Sequence, residues 1–464
     1  MNKIAILGIS IVILLAGALQ VALSSADGQA DEWPTFMHDW RRTSITSASL
    51  PDELTLLWKY EIQGASIPSS PAVARGKVYF SARENYGKGE NERLWVYALD
   101  VESGGLVWKR ETDGGALFLS PSPTVVNGRV YVGSWDNYIY ALNAENGGLI
   151  WRFYMEPPYP TINGVDGAPI VVDGRVYVGS WNGYMYCLNA DDGSLIWRAK
   201  VPGHIIGSPS LANDLIYFGT GAGGENTTGE VYALNTNDGS EIWKFHVGDE
   251  ISASPVIVDN VVHIGGGWMG FLSGDGIYAL NAENGQLIWY YDSQNKPVSS
   301  TLVMADKVFF TSRGSLYALN ANNGALVWSV ELGGGTHGSP TGVDGKVVVG
   351  GGDGLYVIDA STGAILQHLK TYHFVWSTPA IAYGKVYFGS LDGTFYAYGS
   401  KGQAGTNITE LLKWPLVIVC IVGVLGAIVA LARRRSAPRE FEAPASAPGE
   451  PLAIGVLNSK QYLC

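Results

Sequence analysis

An eleven-residue string recurs along this chain of 464 residues and constrains its fold more than any other feature. A typical copy, ALNAENGGLIW, starts at a small residue, contains an Asn or Asp before a Gly, and ends in Trp. The Trp-to-Trp steps from Trp108 to Trp328 are 43, 46, 46, 46 and 39 residues. Periods of roughly 40–45 residues built from strand-like segments are typical of propeller blades with four strands each. Six copies that end in Trp, and a seventh that ends in Gln367, occupy residues 98–108, 141–151, 187–197, 233–243, 279–289, 318–328 and 357–367.

Each repeat contains the material for four short strands. A strand follows a Ser-Pro or Ala-Pro signal, an alternating run comes next, a Tyr-Ala-Leu strand follows, and the strand ending in Trp completes the unit. Two-residue turns such as Asn127-Gly128 and Asp173-Gly174 supply the positive φ that tight hairpins require. This need for turns explains why 60 of the residues are glycine.

The number of blades follows from counting strand types. First-strand signals and Tyr strands each occur eight times, but only the first seven units continue into the fourth strand. The missing fourth strand stands at the front of the chain, at residues 54–60 around Trp58. We therefore predict an all-β, eight-bladed propeller with four-stranded antiparallel blades, closed by an N-terminal outer strand that removes an exposed edge. The first-strand signals lie near Pro71, Pro123, Pro169, Pro209, Pro255, Thr301, Pro340 and Pro379.

Both ends of the chain carry membrane signals. Residues 1–30 have one early positive charge and a long apolar run, which is typical of a secretory signal peptide; an uncleaved membrane anchor is the alternative. Residues 414–432 form 19 uncharged residues followed by an arginine triplet, enough to cross a bilayer as a helix. By the positive-inside rule, residues 433–464 then form a short cytoplasmic tail.

The predicted organisation is therefore a propeller at residues 31–398, a stalk at 399–413, and one C-terminal membrane span. This arrangement places the propeller outside the cell membrane. Because the last Tyr strand ends close to the stalk, we expect the tight-turn side of the propeller to look toward the membrane. Asn226 and Asn407 begin glycosylation sequons in the exported part, although such short patterns also arise by chance.

Composition excludes several classes of protein. The net charge is −12, which argues against nucleic acid as a partner because phosphate binding needs a basic surface. Only three cysteines are present, too few for a disulfide scaffold. No C-x-x-C-H haem motif and no recognisable hydrolase, zinc or nucleotide motif occurs in a convincing context.

The eleven-residue string resembles the tryptophan-docking motif of the pyrroloquinoline quinone (PQQ) repeat family. The best copies are 98–108, with Asp100, Gly104 and Trp108, and 357–367, with Asp359 and Gly363. The resemblance covers roughly residues 33–398. It implies the propeller fold, but not one chemistry, because the family includes PQQ- and calcium-dependent dehydrogenases as well as BamB-like assembly scaffolds that are not catalytic.

The chain departs from the dehydrogenase pattern. The adjacent cysteine pair common in those enzymes is absent: Cys187, Cys420 and Cys464 lie far apart. Large catalytic insertions are also missing, and no set of calcium ligands can be assigned. We therefore expect no cofactor, and we keep a divergent PQQ and calcium enzyme as the alternative.

The repeat tryptophans have a fixed place in the motif, so we expect structural docking between neighbouring blades rather than a ligand cage. Gln367 replaces the last of them, which predicts a weaker seam at that place. The docking residues are Trp58, Trp108, Trp151, Trp197, Trp243, Trp289 and Trp328.

Strand direction sorts the loops onto two faces. The tight-turn face carries the first-to-second and third-to-fourth connections, and the variable-loop face carries the second-to-third connections and the links between blades. Loop variation on a rigid scaffold favours binding at the variable-loop face. Singly, its residues are more easily explained as packed or solvated loop residues; together they form a candidate binding face of Trp135, Trp181, His204, Trp268, His337, His373 and Trp376.

The three histidines of this set come from different blades, and the sequence leaves open whether they converge on a metal. The leading hypothesis is a membrane-anchored extracytoplasmic scaffold that binds another surface or envelope protein, or a polymer. The alternative hypothesis is the quinoprotein dehydrogenase.

Overall fold

The computed structural model describes residues 32–88, 92–112, 121–156, 164–221, 229–247, 250–267, 276–294, 299–335 and 337–401. These residues form 32 strands in eight four-stranded antiparallel sheets, which confirms the eight-bladed propeller. No helix within these ranges is long and apolar enough to span a membrane. The predicted signal peptide, the predicted span and tail, and all but the first three residues of the predicted stalk lie outside the described ranges, as do Asn226, Asn407 and Trp268.

The first four blades each run from an inner strand to an outer strand in chain order. The first two blades contain β2 (Ala72–Ala74), β3 (Lys77–Glu84), β4 (Arg93–Asp100), β5 (Leu106–Glu111), β6 (Thr124–Val126), β7 (Arg129–Gly133), β8 (Tyr138–Asn143) and β9 (Leu149–Tyr154). The next two contain β10 (Ile170–Val172), β11 (Arg175–Gly179), β12 (Tyr184–Asn189), β13 (Leu195–Lys200), β14 (Ser210–Ala212), β15 (Leu215–Gly219), β16 (Glu230–Asn235) and β17 (Glu241–His246).

The remaining blades follow the same plan, except that the last takes its outer strand from the front of the chain. The fifth and sixth blades contain β18 (Val256–Val258), β19 (Val261–Gly265), β20 (Gly276–Asn281), β21 (Leu287–Asp292), β22 (Leu302–Met304), β23 (Lys307–Ser312), β24 (Ser315–Asn320) and β25 (Leu326–Glu331). The last two contain β26 (Thr341–Val343), β27 (Lys346–Gly350), β28 (Gly354–Asp359), β29 (Ile365–Lys370), β30 (Ala380–Ala382), β31 (Lys385–Gly389), β32 (Thr394–Gly399) and β1 (Thr55–Glu61).

The ring closes as the strand count predicts. Strand β1 pairs antiparallel with β32, so the eighth sheet joins both ends of the propeller. Apolar side chains alternate toward the neighbouring blades, and the hydrophobic clusters lie between adjacent sheets; one of them packs Tyr79 of the first blade with Tyr140 of the second. The core is therefore a ring of seams between blades.

The repeat tryptophans lie in these seams. Trp151 is buried, its indole Nε1 donates to the Ala190 carbonyl of the next blade at 3.0 Å, and its ring covers Gly193 so closely that a Cβ there would lie 2.6 Å from Cε3. Each of the seven docking tryptophans covers a turn glycine of the following blade, and all of them except Trp328 also donate Nε1 to a carbonyl of that blade. The glycines are Gly104, Gly147, Gly193, Gly239, Gly285, Gly324 and Gly363.

Serine and threonine hydroxyls form a second ring around the central channel. Just before the inner strand of seven blades, a backbone N–H donates to the Ser or Thr hydroxyl at the equivalent position of the next blade. The exception is Ser122, because the equivalent residue of the next blade is Ala168, which has no hydroxyl. The belt is therefore interrupted between the second and third blades. The seven donor-to-acceptor links are Ser70 to Ser122, Ala168 to Ser208, Ser208 to Ser254, Ser254 to Ser300, Ser300 to Ser339, Ser339 to Thr378, and Thr378 to Ser70.

Residues 33–46, which we call the closing segment, cross the channel at the tight-turn face. Their backbone carbonyls accept hydrogen bonds from inner-strand N–H groups of five blades. Arg42 is fully buried and donates to the carbonyls of Ala168 and Pro209 at 3.0 and 3.1 Å, which ties the segment to the third and fourth blades. Burial lowers the pKa of Arg42 to about 9. The five backbone donors are Val73, Val125, Leu211, Ile257 and Gly342.

Candidate functional site

The variable-loop face brings its described aromatic residues into two groups. In the first, the ring centroids of Trp135 and Trp181 lie 5.6 Å apart, and those of Trp181 and His204 lie 5.0 Å apart. His204 Nδ1 also hydrogen-bonds the carbonyl of Trp181. These residues come from hairpins of the second and third blades and from the link to the fourth, so the packing of neighbouring blades assembles them.

The second group lies around the link between the seventh and eighth blades. The His337 and Trp376 ring centroids are 4.4 Å apart, Trp376 lies 6.3 Å from Phe374, and Phe374 lies 5.0 Å from His373. Burial lowers the pKa of His337, which favours the neutral imidazole. No described ring contact joins the two groups.

A buried carboxylate lies beneath the first group. Asp166, only 9% exposed, stands in the link before β10, and Trp181 Nε1 donates to its Oδ2 at 2.7 Å. Trp135 stands close enough to favour the ionised form, yet no described donor completes a hydrogen bond with Oδ1. Two indoles from neighbouring blades therefore stabilise the ionised form of this buried carboxylate.

Burial dominates the electrostatics of Asp166. Desolvation raises its pKa to about 7, although the two indoles and the nearby Arg83 guanidinium act in the opposite direction. Arg83 is itself buried and holds Glu92 with Nη2 and Oε2 2.7 Å apart. A carboxyl group with a pKa close to neutral is a functional-site candidate on physical grounds.

Asp166 was not predicted from the sequence as a site residue. The signal was available in the repeat, because Ala168 interrupts a column that is otherwise serine or threonine, and Asp166 stands two residues before it. Burial of Asp166, however, depends on Trp135 and Trp181 from neighbouring hairpins. The sequence of one repeat does not indicate contacts that form between repeats.

The described residues do not converge on a metal. No three His, Cys, Asp or Glu side chains within the described ranges are close enough to hold an ion, and the three candidate histidines contact Trp181, Trp376 and Phe374 instead. Calcium prefers six to eight oxygen ligands. The described partners of Asp166 are indole N–H donors rather than oxygen ligands, so its surroundings do not fit calcium.

Comparison with solved structures shows the same architecture in two kinds of protein. The chain covers 81% of the quinohemoprotein alcohol dehydrogenase from Comamonas testosteroni over 81% of its own length, with 17% identity and a TM-score of 0.67. It covers 98% of BamB from Moraxella catarrhalis over 75% of its own length, with 16% identity and a TM-score of 0.58. A europium-containing methanol dehydrogenase gives 15% identity, a TM-score of 0.66, and coverage of 80% of this chain and 98% of that one.

At such identities these similarities establish the fold alone. A comparison with curated protein sequences finds no match. The family model described as outer membrane protein assembly factor BamB matches residues 52–172, 135–289, 224–335 and 312–414, which together span most of the chain. By this match, and by its ring of docking tryptophans, the protein belongs to the PQQ-repeat family of β-propellers.

Proposed function

We propose that this protein is a membrane-anchored extracytoplasmic propeller that acts as a non-catalytic interaction or assembly scaffold. The uncharged run at 414–432 and the arginines after it support the anchor and the short cytoplasmic tail. The variable-loop face is the contact surface. Its partner is another surface or envelope protein, or a surface polymer.

The observation that carries this proposal is the presentation of Tyr372, which is 93% exposed on the link between β29 and β30. The link is held by backbone hydrogen bonds from Val375 N to the Gly351 carbonyl and from Leu391 N to the Phe374 carbonyl, both at 3.0 Å. An aromatic side chain on a fixed backbone loses little entropy on binding, which is typical of interface hot spots. The second aromatic group lies directly beside it.

One observation favours the alternative, a PQQ- and calcium-dependent dehydrogenase with a divergent site. Asp166 has a pKa near neutral, which suits a general base. The N–H donors around that carboxylate do not match what calcium requires. We therefore derive no catalytic step through the quinone or the metal.

Site-specific photo-crosslinking tests the scaffold proposal. A benzophenone amino acid replaces Tyr372 on the variable-loop face, or the exposed Asp191 at a turn tip of the tight-turn face, in the full-length protein in its own cells. We expect a discrete adduct from position 372 that Trp376→Ala weakens several-fold, and none from position 191. Equal adducts from both positions, or none from 372, would contradict the proposal.

A further inference from the structure

A groove of about 400 Å³ lies on the tight-turn face, at the opposite end of the channel from Asp166. We call it the turn-face groove. Its walls are the closing segment, represented by Pro34 and Trp40, and the inner strands of the second and third blades, represented by Val125 and Val171. This volume is within the range of small-molecule sites in proteins.

The groove exists because the closing segment passes over the third blade. The carbonyl of Pro34 accepts from Val125 N in the second blade, and the carbonyl of Trp40 accepts from Leu211 N in the fourth, both at 2.7 Å. The corresponding N–H of the third blade, on Val171, has no described acceptor.

Two carboxylates and one guanidinium line the groove, and the buried Arg42 interacts with one of the carboxylates, Asp39. Glu32 and Asp39 contribute carboxylates, whereas the guanidinium of Arg75 is engaged outside, with its Nε 3.4 Å from Glu145. Burial acts to raise the pKa of Asp39, but the nearby His38 and the hydrogen bonds from Thr43 outweigh it and hold this pKa below its usual value. Asp39 is therefore ionised at neutral pH.

An aromatic surface lines the same groove. The indole of Trp40 is 48% exposed although its backbone is fixed to Leu211. An exposed indole face attracts a cation through its quadrupole, and carboxylates in the same groove add a favourable charge. The apolar walls add area for a hydrocarbon body.

We propose that the turn-face groove binds an alkylammonium group, either on a soluble amine or on the headgroup of a lipid. The cation lies against the indole of Trp40, in the negative field of the Glu32 and Asp39 carboxylates that line the same groove, and its apolar body packs on Pro34 and Val125. This site is separate from the contact surface on the variable-loop face, so either one stands without the other.

Calorimetric titration of the full-length protein in a nonionic detergent tests the site with benzyltrimethylammonium as the probe. Benzyl alcohol is the neutral control. We expect saturable binding of the cation and at least tenfold weaker binding of the alcohol. Equal affinities, or no saturable binding of the cation, would overturn the proposal.

Two variants locate the binding. Trp40→Leu removes the exposed indole but keeps the backbone hydrogen bond to Leu211. Glu32→Gln removes a charge but keeps a side-chain oxygen that can accept from the backbone N–H of Arg75, as Glu32 Oε1 does at 2.7 Å. Each should weaken the cation at least fivefold, whereas Tyr372→Leu, an exposed aromatic on the other face, should leave it unchanged. Unchanged binding in both groove variants would refute the assignment even if one of them lost stability.

Two further probes distinguish a soluble amine from a lipid headgroup. They are choline, and diheptanoyl phosphatidylcholine below its micellar concentration. Lipid binding at least tenfold tighter than choline, and lost in Trp40→Leu, supports a lipid headgroup. Comparable affinities that both depend on Trp40 support a soluble amine. Binding of neither probe would contradict the alkylammonium assignment.

Discussion

Gln367 holds the backbone of Leu54 with both ends of its side-chain amide. Its Oε1 accepts from Leu54 N at 2.9 Å, and its Nε2 donates to the Leu54 carbonyl at 2.7 Å. Leu54 immediately precedes β1, the strand that closes the ring. In the other blades a turn joins the third strand to the fourth and contains the glycine that a tryptophan covers. In the eighth blade β32 and β1 come from opposite ends of the propeller, so that turn and its glycine are missing. The side-chain amide of Gln367 takes the place of the indole and binds the backbone before β1 instead.

This clamp predicts that Gln367 suits its seam better than Trp would. Gln367→Ala leaves two buried backbone groups without partners and should lower the free energy of unfolding by about 1–3 kcal/mol. Gln367→Trp should also destabilise, because it loses the same bonds and has no glycine to cover. Urea unfolding measures both. A Trp variant more stable than the parent would instead support the expectation of a weak seam.

The docking of Trp151 predicts different costs at two glycines with the same backbone conformation. Gly193 has a φ of +74° beneath Trp151, and Gly174 has a φ of +71° with no atom within 4 Å of an added Cβ. Gly174→Ala should cost about 1 kcal/mol for its left-handed backbone alone. Gly193→Ala should cost roughly 1–3 kcal/mol more, because the added methyl group displaces the indole. Equal melting temperatures would show that the indole is not held in place.

The interruption of the hydroxyl belt predicts a stabilising substitution. Ala168→Ser supplies the acceptor that Ser122 lacks, and it should raise the free energy of unfolding by about 0.5–1.5 kcal/mol. Ser208→Ala, which removes the hydroxyl that accepts from Ala168 N at 2.9 Å, should lower it by roughly 1–3 kcal/mol. Chemical denaturation of the two variants compares them. A destabilised Ala168→Ser protein would mean that another group fills the gap.

Asp166 predicts a specific pH dependence. Its pKa is about 7 in the folded protein against an ordinary 3.8, so between about pH 4 and 7 the folded state retains a proton that the unfolded chain has lost. Stability from this group is therefore highest at the acidic end and falls as pH rises to 7, by up to about 1.4 kcal/mol per pH unit. Above pH 7 both states are ionised and the slope vanishes.

Asp166→Asn should remove this slope. Comparing the variant with the parent protein at pH 5 and pH 7.5 cancels the pH-dependent stability contributed by other buried groups. One such group is His263, whose pKa is lowered by burial to about 4. The variant should gain stability relative to the parent as pH rises. Parallel pH profiles for the two proteins would contradict the raised pKa.

The repeat arithmetic predicted the eight blades and the closing strand because turn glycines, strand alternation and Trp spacing are local signals that recur in every unit. The closing segment was not predicted, because its contacts with Val73 and Gly342 join parts of the chain that no periodicity relates. The path of Arg42 into the channel is equally non-local. These features depend on the finished ring.

The grouping of the candidate residues could be predicted in part, and their role in binding stays a prediction. Trp135, Trp181 and His204 lie together, as do His337 and Trp376, because the links between blades converge on one end of the channel. The burial of Asp166 could not be predicted, since it arises from two indoles on different hairpins. Whether the protein is a scaffold or an enzyme depends on the groups around Asp166, and the repeat pattern does not encode those groups.

The most direct test of the central claim is a titration of the full-length protein with PQQ in the presence of calcium. Tryptophan quenching reports binding, and reduction of an artificial electron acceptor with alcohol or sugar substrates reports turnover. The scaffold account predicts no saturable quenching and no turnover above a heat-denatured control. Saturable quenching accompanied by dye reduction that Asp166→Asn abolishes would contradict it and establish an enzyme.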